Sequence, residues 1–495
     1  MATTTPASAR ETPPIESGDY DLEIFQGPLL APGRITGLAG ATTAMAESLD
    51  GVYNNAAAPA VRAAHSVDHF EWEPTGGIAF PGTYKGTDFS NRGEKGIERQ
   101  IEQSRNLGSN RPPAVTTTDD FLYLNAGLWG QLGNVGVTAT ADMLRYELTG
   151  ASDDGSSLAL SIVRMHLVGA YGFLRNQLCV GAGVRMAYVD VWDVAAGTSV
   201  VSMIGVGPQA GLIVKPEERQ WRVGLTARAG VAAEPLSDVF VKEKRTTGVE
   251  LRRVGSFVLP ERIVQPWEVE LGVAYQLGPR PLNPRWIDPY EHEQELRRQI
   301  QQRRLDRAAR QRWELEAMPA DTEIQRAARA ARASEMAREE AAMRAQEDLE
   351  LADAEKRLHD ERKARYANWP REHVLLLASV LVTGPSTTPD RDAVALEGFI
   401  DQRRELVGSR VAVGPRFAVE SEAVPNRLKA RAGVYFEPSR FADATVRQHF
   451  TLGFDVRLFA WDVFGLFPDH QWRFSTFVDV AERYHNFGFG VGLWH

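Results

Sequence analysis

The stretch 221–231, WRVGLTARAGV, sets Trp221, Val223, Leu225, Ala227, Ala229 and Val231 on one side of an extended chain, with Arg222, Gly224, Thr226, Arg228 and Gly230 on the other. Successive side chains of a strand point to opposite faces, so this period of two reads as a strand with one apolar and one polar face. The pattern recurs outward from there. In 267–277, Trp267, Val269, Leu271, Val273, Tyr275 and Leu277 oppose Glu268, Glu270, Gly272, Ala274 and Gln276. In 428–436, Leu428, Ala430, Ala432, Val434 and Phe436 oppose Lys429, Arg431, Gly433 and Tyr435. In 450–458, Phe450, Leu452, Phe454, Val456 and Leu458 oppose Thr451, Gly453, Asp455 and Arg457, and the segments 121–148 and 157–192 alternate in the same way.

Alternation alone fits a soluble antiparallel sheet and equally a membrane barrel, where the same pattern is inverted. Three features favour the membrane. The strands run to about ten residues or more, enough for a tilted crossing. Trp221, Trp267, Tyr275, Trp472 and Trp494 stand at strand ends, as interfacial aromatic girdles do. The polar faces mix charges with many glycines, which suits a lumen crowded by other chain. The final stretch, NFGFGVGLW at 486–494, alternates Phe487, Phe489, Val491 and Leu493 with glycines before His495. Counting crossings gives about 12 to 16 strands, an even total being the rule for bacterial barrels.

Composition narrows the alternatives. In a chain of 495 residues a formal charge of −9 argues against a dedicated nucleic-acid binder. The single cysteine, Cys179, excludes an internal disulfide and a cysteine-rich metal site, and reads as a small filler on an inner strand face. No run of about 18 apolar residues is present, so helical membrane spans are excluded. The opening MATTTPASARETPPIESGDYD has no basic head followed by an apolar core. It does not read as a signal peptide and is expected to be the start of a mature or mis-started form, disordered to about Tyr20.

Between Arg34 and Val61 the chain reads RITGLAGATTAMAESLDGVYNNAAAPAV, three glycines and many alanines closing on Asn-Asn-Ala-Ala-Ala-Pro. This segment resembles the N-terminal plug of FadL/TodX-type outer-membrane transporters, with Gly37, Gly40, Ala41, Ala44, Ala46, Asp50 and Asn54 on the matching positions. The departure lies at Asn55, which stands where the family has proline; Pro59 comes later. The stretches 427–441 and 450–459 are similar to the family's penultimate strands and loop. The resemblance implies about 14 strands, an N-terminal plug gated at Gly37, Gly40, Asp50, Asn54 and Asn55, an apolar pocket in the lumen, and outer-membrane localisation.

From about Asp288 to Ala367 the period changes. The segment is dense in Ala, Arg, Glu and Gln and almost free of glycine and β-branched residues, so it is expected to be helical. Met318-Pro319-Ala320-Asp321 breaks it, with Asp321 the expected N-cap of a second helix. Seven arginines between Arg297 and Arg312 suggest either a nucleic-acid or lipid-headgroup surface or, more simply, a solvated charged face, since acids follow at once. Strand parity assigns the insertion to the periplasmic side.

The sequence carries few chemical motifs. No G-x-S-x-G, H-E-x-x-H, P-loop or EF-hand pattern occurs. His65 and His69, with Asp68 between them, could be a metal pair on a helix, but a third ligand is missing. GVGPQAG at 205–211 looks superficially like a dinucleotide loop, yet no helix follows it. Lumen-facing Arg185, Arg222, Arg228, Glu268, Glu270, Lys429, Arg431, Asp455 and Arg457 are expected to set selectivity through paired networks, or to hydrate the lumen and hold the plug.

The expected architecture is therefore an all-β transmembrane barrel of about 14 antiparallel strands with a helical plug and a long helical insertion. Its parts are a disordered 1–33, a plug 34–66, barrel strands in 67–287 and 369–495, and a helical hairpin 288–368. By resemblance the protein is a non-enzymatic, cofactor-free channel for passive uptake of hydrophobic small molecules, long-chain fatty acids or hydrocarbons. Its expected partners are membrane lipid, that ligand, and a protein at 288–368, without nucleic acid. Two other readings remain: a non-transporting barrel scaffold whose insertion docks a partner, and a soluble β-rich protein with a helical arm.

Overall fold

Fourteen strands pair edge to edge until the last meets the first. They are β1 (Phe70–Ala79), β2 (Thr117–Leu132), β3 (Val135–Thr149), β4 (Ser157–Phe173), β5 (Leu178–Asp193), β6 (Thr198–Val214), β7 (Trp221–Arg228), β8 (Glu268–Leu277), β9 (Val374–Thr383), β10 (Ala412–Val424), β11 (Leu428–Pro438), β12 (Val446–Ala460), β13 (Gln471–Ala481) and β14 (Tyr484–Leu493). The computed structural model describes residues 12–24, 27–66, 68–82, 87–93, 97, 101, 116–150, 157–236, 241–244, 250–286, 288–441, 446–462 and 471–494. The seam is antiparallel, Gly76 opposite Val491 and Ala79 opposite Gly488. β8 and β9, which flank the helical insertion in sequence, pair over their full length from Glu268–Thr383 to Leu277–Val374. A closed ladder of this kind satisfies its backbone groups without water, the condition for crossing a bilayer.

The two faces are inverted relative to a soluble sheet. On β12, Phe450 is 59% exposed while neighbouring His449 is 0%. Leu225, Leu271, Val273, Leu452, Phe454 and Val456 are likewise exposed, and Arg222, Arg228, Glu270, Arg431 and Asp455 are buried inside the ring. This is a transmembrane barrel of the outer-membrane type. Exposed Tyr171, Phe173, Trp221, Tyr275 and Trp461 mark one rim, Tyr188, Trp192 and Trp267 the other, matching interfacial girdles. Trp494 is not part of a girdle: it faces inward, 8% exposed, and its indole Nε1 donates to Asn426 Oδ1 at 3.1 Å. Leu493 before it is buried as well, at 3%, so the exposed outward row of β14 ends at Val491. His495 lies outside the described residues.

Four connections at one rim are short: 133–134, 174–177, 215–220 and 425–427. The opposite rim carries the long connections 80–116, 229–267 and 384–411. Short turns face the periplasm in barrels of this kind, and β8 ends at that rim.

At the long-loop rim a five-stranded sheet forms from short pieces, in the order Leu406–Val407, Ala393–Val394, Asp21–Glu23, Arg262–Gln265, Val231–Ala233. Asp21–Glu23 pairs parallel with both neighbours. Two expectations are corrected here. Part of 1–33, expected to be disordered, is packed: Ile15, Tyr20, Leu22 and Ile24 are buried, and Tyr20 Oη donates to Val258 O at 2.7 Å. Residues 1–11 lie outside the described residues. The strand read as 221–231 ends at Arg228; the chain then turns off the barrel, so Val231 is buried against Gln265 rather than facing lipid.

The chain forms two compact units, one of Met1–Ala63, Trp72–Pro284 and Pro370–His495, the other of Ala64–Glu71 and Arg285–Trp369. The second is a helical hairpin. Helix Pro289–Ala317 has Asp288 as N-cap, and helix Glu323–Ala367 starts from a capping box in which Thr322 and Gln325 bond reciprocally. The N-cap is thus Thr322, not Asp321, because only Thr322 has the glutamine three positions on that completes the box. The arginine run is a solvated ion-pair face: Arg303 pairs with Glu350, Arg304 with Glu347 and Asp348, and Arg307 with Glu340 and Glu347. His65 and His69 are not on a helix. His69 Nδ1 lies 2.8 Å from Asp288 Oδ1, and among the described residues no group of three ligands could hold a metal.

Candidate functional site

Inside the barrel the wall falls into three zones, legible strand by strand. Along β3 from the long-loop rim the inward residues run Leu148, Tyr146 and Leu144, then Asp142, then Thr140, Thr138 and Gly136. Along β5 they run in reverse: Cys179, Gly181 and Gly183, then Arg185, then Ala187, Val189 and Val191. The outermost zone is an apolar core in which these side chains enclose Tyr20, Leu22 and Ile24 of the N-terminal segment. The alternation read over 121–148 and 157–192 is therefore apolar on both faces near that rim, because the chain's own N-terminus occupies the lumen there.

The innermost zone holds the plug. Two short helices, Gly33–Gly37 and Ser48–Gly51, and a turn at Ala58–Ala60 are joined by irregular chain, nearly all of it buried. Inward glycines of the wall make room for it. A Cβ on Gly136 would lie 1.8 Å from Pro59 O, on Gly181 1.9 Å from Ala56 O, on Gly211 2.0 Å from Asn55 Oδ1, and on Gly224 2.3 Å from Thr43 O. Gly205 and Gly207 of the GVGPQAG stretch face the side chain of Val231 in the same way. Cys179, fully buried, packs with Ala56, Ala57 and Ala60.

Asparagines hold the plug's shape. Asn54 Nδ2 donates to Gly40 O at 2.7 Å and to Thr42 Oγ1 at 2.8 Å. Asn55 Nδ2 donates to Thr43 O at 3.0 Å and to the wall carbonyls of Leu212 and Leu225 at 3.1 and 3.3 Å. Asn55 Oδ1 accepts the Ala57 N–H at 2.9 Å, so a side-chain turn supplies the bend at this position. Gly37 touches Gly453 and accepts from Thr451 Oγ1 at 3.2 Å. Ion pairs tie plug to wall: Asp50 to Arg473 at 3.0 Å, Glu47 to Arg222, and Arg34 to Glu420 at 3.5 Å. Burial would raise the Glu47 carboxyl, but Arg222 and Arg34 outweigh it and hold it down to about 2.

Between plug and apolar core lies a charged belt around a cavity of about 120 Å³. Arg185 and Arg228 share Glu268 at 3.2 and 3.5 Å. Arg416 lies 3.4 Å from Glu270, which also accepts from Ser379 Oγ at 2.7 Å. Arg164 Nε donates to Asp142 at 2.7 Å. Arg228 also donates to Tyr53 O and Asn54 O at 2.7 and 2.9 Å, coupling the belt to the plug. Apolar walls come from Ile24, Leu29, Leu30, Ile162 and Leu381. The expected lumen pocket is thus amphipathic rather than simply apolar.

Of the nine lumen residues read from the sequence, the belt gathers Arg185, Arg228, Glu268 and Glu270, and Arg222 sits lower, on Glu47. Arg431 and Asp455 form a separate pair at 2.7 and 2.6 Å on the opposite wall. There the Lys429 ammonium lies 4.7 Å from the Trp494 ring centroid. Arg457 stands at the short-turn rim, donating to Gln471 Oε1 and Asn426 O at 3.2 and 3.3 Å. Sequence reading missed Asp142, Arg164, Arg416, Glu420 and Arg473. It also missed a buried group in which His449 sits between Asp479 at 2.9 Å and Glu437 at 2.7 Å. Each stands at an inward position of its strand, and that parity was the available signal.

The fold and its lumen define a class: a plugged fourteen-stranded outer-membrane barrel. Among solved structures the chain is similar to a Pseudomonas aeruginosa FadL homologue, at 11% identity over 95% of this chain and 99% of that one, with a TM-score of 0.49. It is also similar to the CymD monoaromatic hydrocarbon channel (10% identity, 94% and 96% covered, TM-score 0.43) and to the Pseudomonas putida toluene transporter TodX (10%, 96% and 98%, 0.41). These structures are of the family that the plug sequence resembles. No protein-family model matches the chain, and no curated protein matches it.

Proposed function

We propose that the protein is a passive outer-membrane channel for hydrophobic small molecules, opened when the N-terminal plug leaves the lumen wall. The observation that supports this reading is that plug and wall meet through glycine contacts and replaceable polar bonds, so the plug can shift while the closed ladder stays intact. Cargo passing from one apolar environment to another needs no energy source, and the plug sets only the population of open molecules. Gly37, Gly40, Asp50, Asn54 and Asn55 act as the gate.

The amphipathic belt favours long-chain fatty acids over hydrocarbons as cargo. Arg164, Arg185, Arg228 and Arg416 face three carboxylates, Asp142, Glu268 and Glu270, which leaves one positive charge for a ligand's carboxylate head, with Leu29, Leu30 and Ile162 beside it. Arg431, beside Gly37, and Asp455, joined through Arg473 to Asp50, hold the plug, and Lys429 and Arg457 hydrate its surroundings. The test is uptake of a labelled long-chain fatty acid by cells that lack their own channel for it. Saturable uptake that requires this protein is expected; none, for either the acid or a neutral alkane, overturns the reading. The scaffold alternative draws on Trp313 and Ile324, 73% and 83% exposed beside the hairpin turn.

A further inference from the structure

The helical hairpin contains a cavity of its own. Ion pairs zip its two helices together from Arg332–Glu314 near the turn to Arg303–Glu350. Beyond that point, towards the start of the first helix and the end of the second, no ion pair between the helices is found among the described residues. A cavity of about 460 Å³ opens there instead, within the usual size of small-molecule sites. Leu296 of the first helix and Leu351 and Leu358 of the second line it, with Ala352, Ala354 and the ring of Tyr290. The rest of the lining is titratable, and most of it is already paired. His359 lies 3.8 Å from Asp68, His69 2.8 Å from Asp288, and Glu293 is bonded by Arg297. Every carboxylate lining this cavity is therefore matched by a base, while Lys356 and His292 make no ion pair among the described residues.

A leucine-lined hollow with, among the described residues, spare donors and no spare acids suits an acyl chain ending in a carboxylate. We propose that the base of the hairpin is a second binding site for a long-chain carboxylate amphiphile, with Leu296, Leu351 and Leu358 receiving the chain and Lys356 and His292 the head. Identifying the occupant with the transported cargo rests on the channel reading above; the existence of the site does not. Asp68 and His69 belong to the short segment joining the plug, which ends near Ala63, to β1.

The experiment uses the full chain in lipid vesicles and a long-chain fatty acid carrying a diazirine, with adducts mapped to peptides after illumination. Adducts are expected in peptides spanning 290–296 and 351–359. Lys356→Glu, at an exposed position, should reduce them about tenfold, the effect of losing one charged hydrogen bond, and Leu351→Arg should remove them. Adducts confined to the barrel overturn the hairpin site and leave the channel reading standing. Equal labelling by a neutral alkyl diazirine, or labelling indifferent to Lys356→Glu, overturns carboxylate recognition. Hairpin adducts in a protein that supports no uptake uphold the site and overturn the channel.

Discussion

Asn55 is both a turn and a strut, and its removal should loosen the plug from the wall. Asn55→Ala strips a donor from the buried carbonyls of Thr43, Leu212 and Leu225. Leaving buried polar groups unmet costs about 1–3 kcal/mol each. The plug should become sensitive to limited proteolysis while heat-modifiable gel migration, which reports the barrel, stays unchanged. Gly181→Val should act in the same direction and more strongly, since its Cβ would overlap Ala56 O. Acid should loosen the plug through Glu47. Its carboxyl is lowered from 4.5 to about 2 in the folded chain, so its contribution is complete above 4.5 and fades as pH falls toward 2. Proteolysis of the plug should rise across that window, and Glu47→Gln should flatten the rise. Charges such as Arg222, Glu268 and Asp455 were legible in the sequence because they interrupt strands whose other face is wholly apolar. Asp142 and Arg164 were not, since their strands carry Leu144, Tyr146, Leu160 and Ile162 on that same inward face.

The helical hairpin shows the same boundary at the level of elements. Its composition announced two helices and the break at Met318, because alanine, arginine and glutamate leave few alternatives to helix. Which glutamates meet which arginines was hidden, since that depends on how one helix faces the other. Glu347, 5% exposed, lies between two guanidiniums: Arg307 and then Arg304 lower its carboxyl from 4.5 to about 2. By the same sign argument its contribution is lost as pH falls from 4.5 to about 2. The helical signal in circular dichroism should weaken over that range, and Glu347→Gln should bring the loss to neutral pH. The barrel should tolerate removal of the whole element. β8 and β9 pair over ten residues without help from the chain between them, so deleting 288–367 should leave heat-modifiable migration intact. Fatty-acid uptake should persist in that variant, and its loss would assign the hairpin a part in transport itself.

At the scale of the molecule, everything rests on lipid, not water, touching the outward rows of leucine, valine and phenylalanine. Period-two alternation reported two faces and about how many strands; it could not report which face was enclosed, nor that Asp21–Glu23 would lie between two distant loops, because both follow from closure. Two leucines of comparable exposure test the assignment. Leu271 lies mid-strand on the outside of β8, 52% exposed, and Leu349 lies on the hairpin, 70% exposed. In water, arginine at either position would change stability by less than about 0.5 kcal/mol. In a bilayer, arginine on the lipid face near the midplane costs about 2–4 kcal/mol, whereas a solvated helix accepts it freely. Leu271→Arg should therefore lower the denaturant midpoint for unfolding from lipid vesicles, and Leu349→Arg should leave it unchanged. Equal tolerance at both positions would mean that the outer face meets water, and the channel would have no membrane to cross.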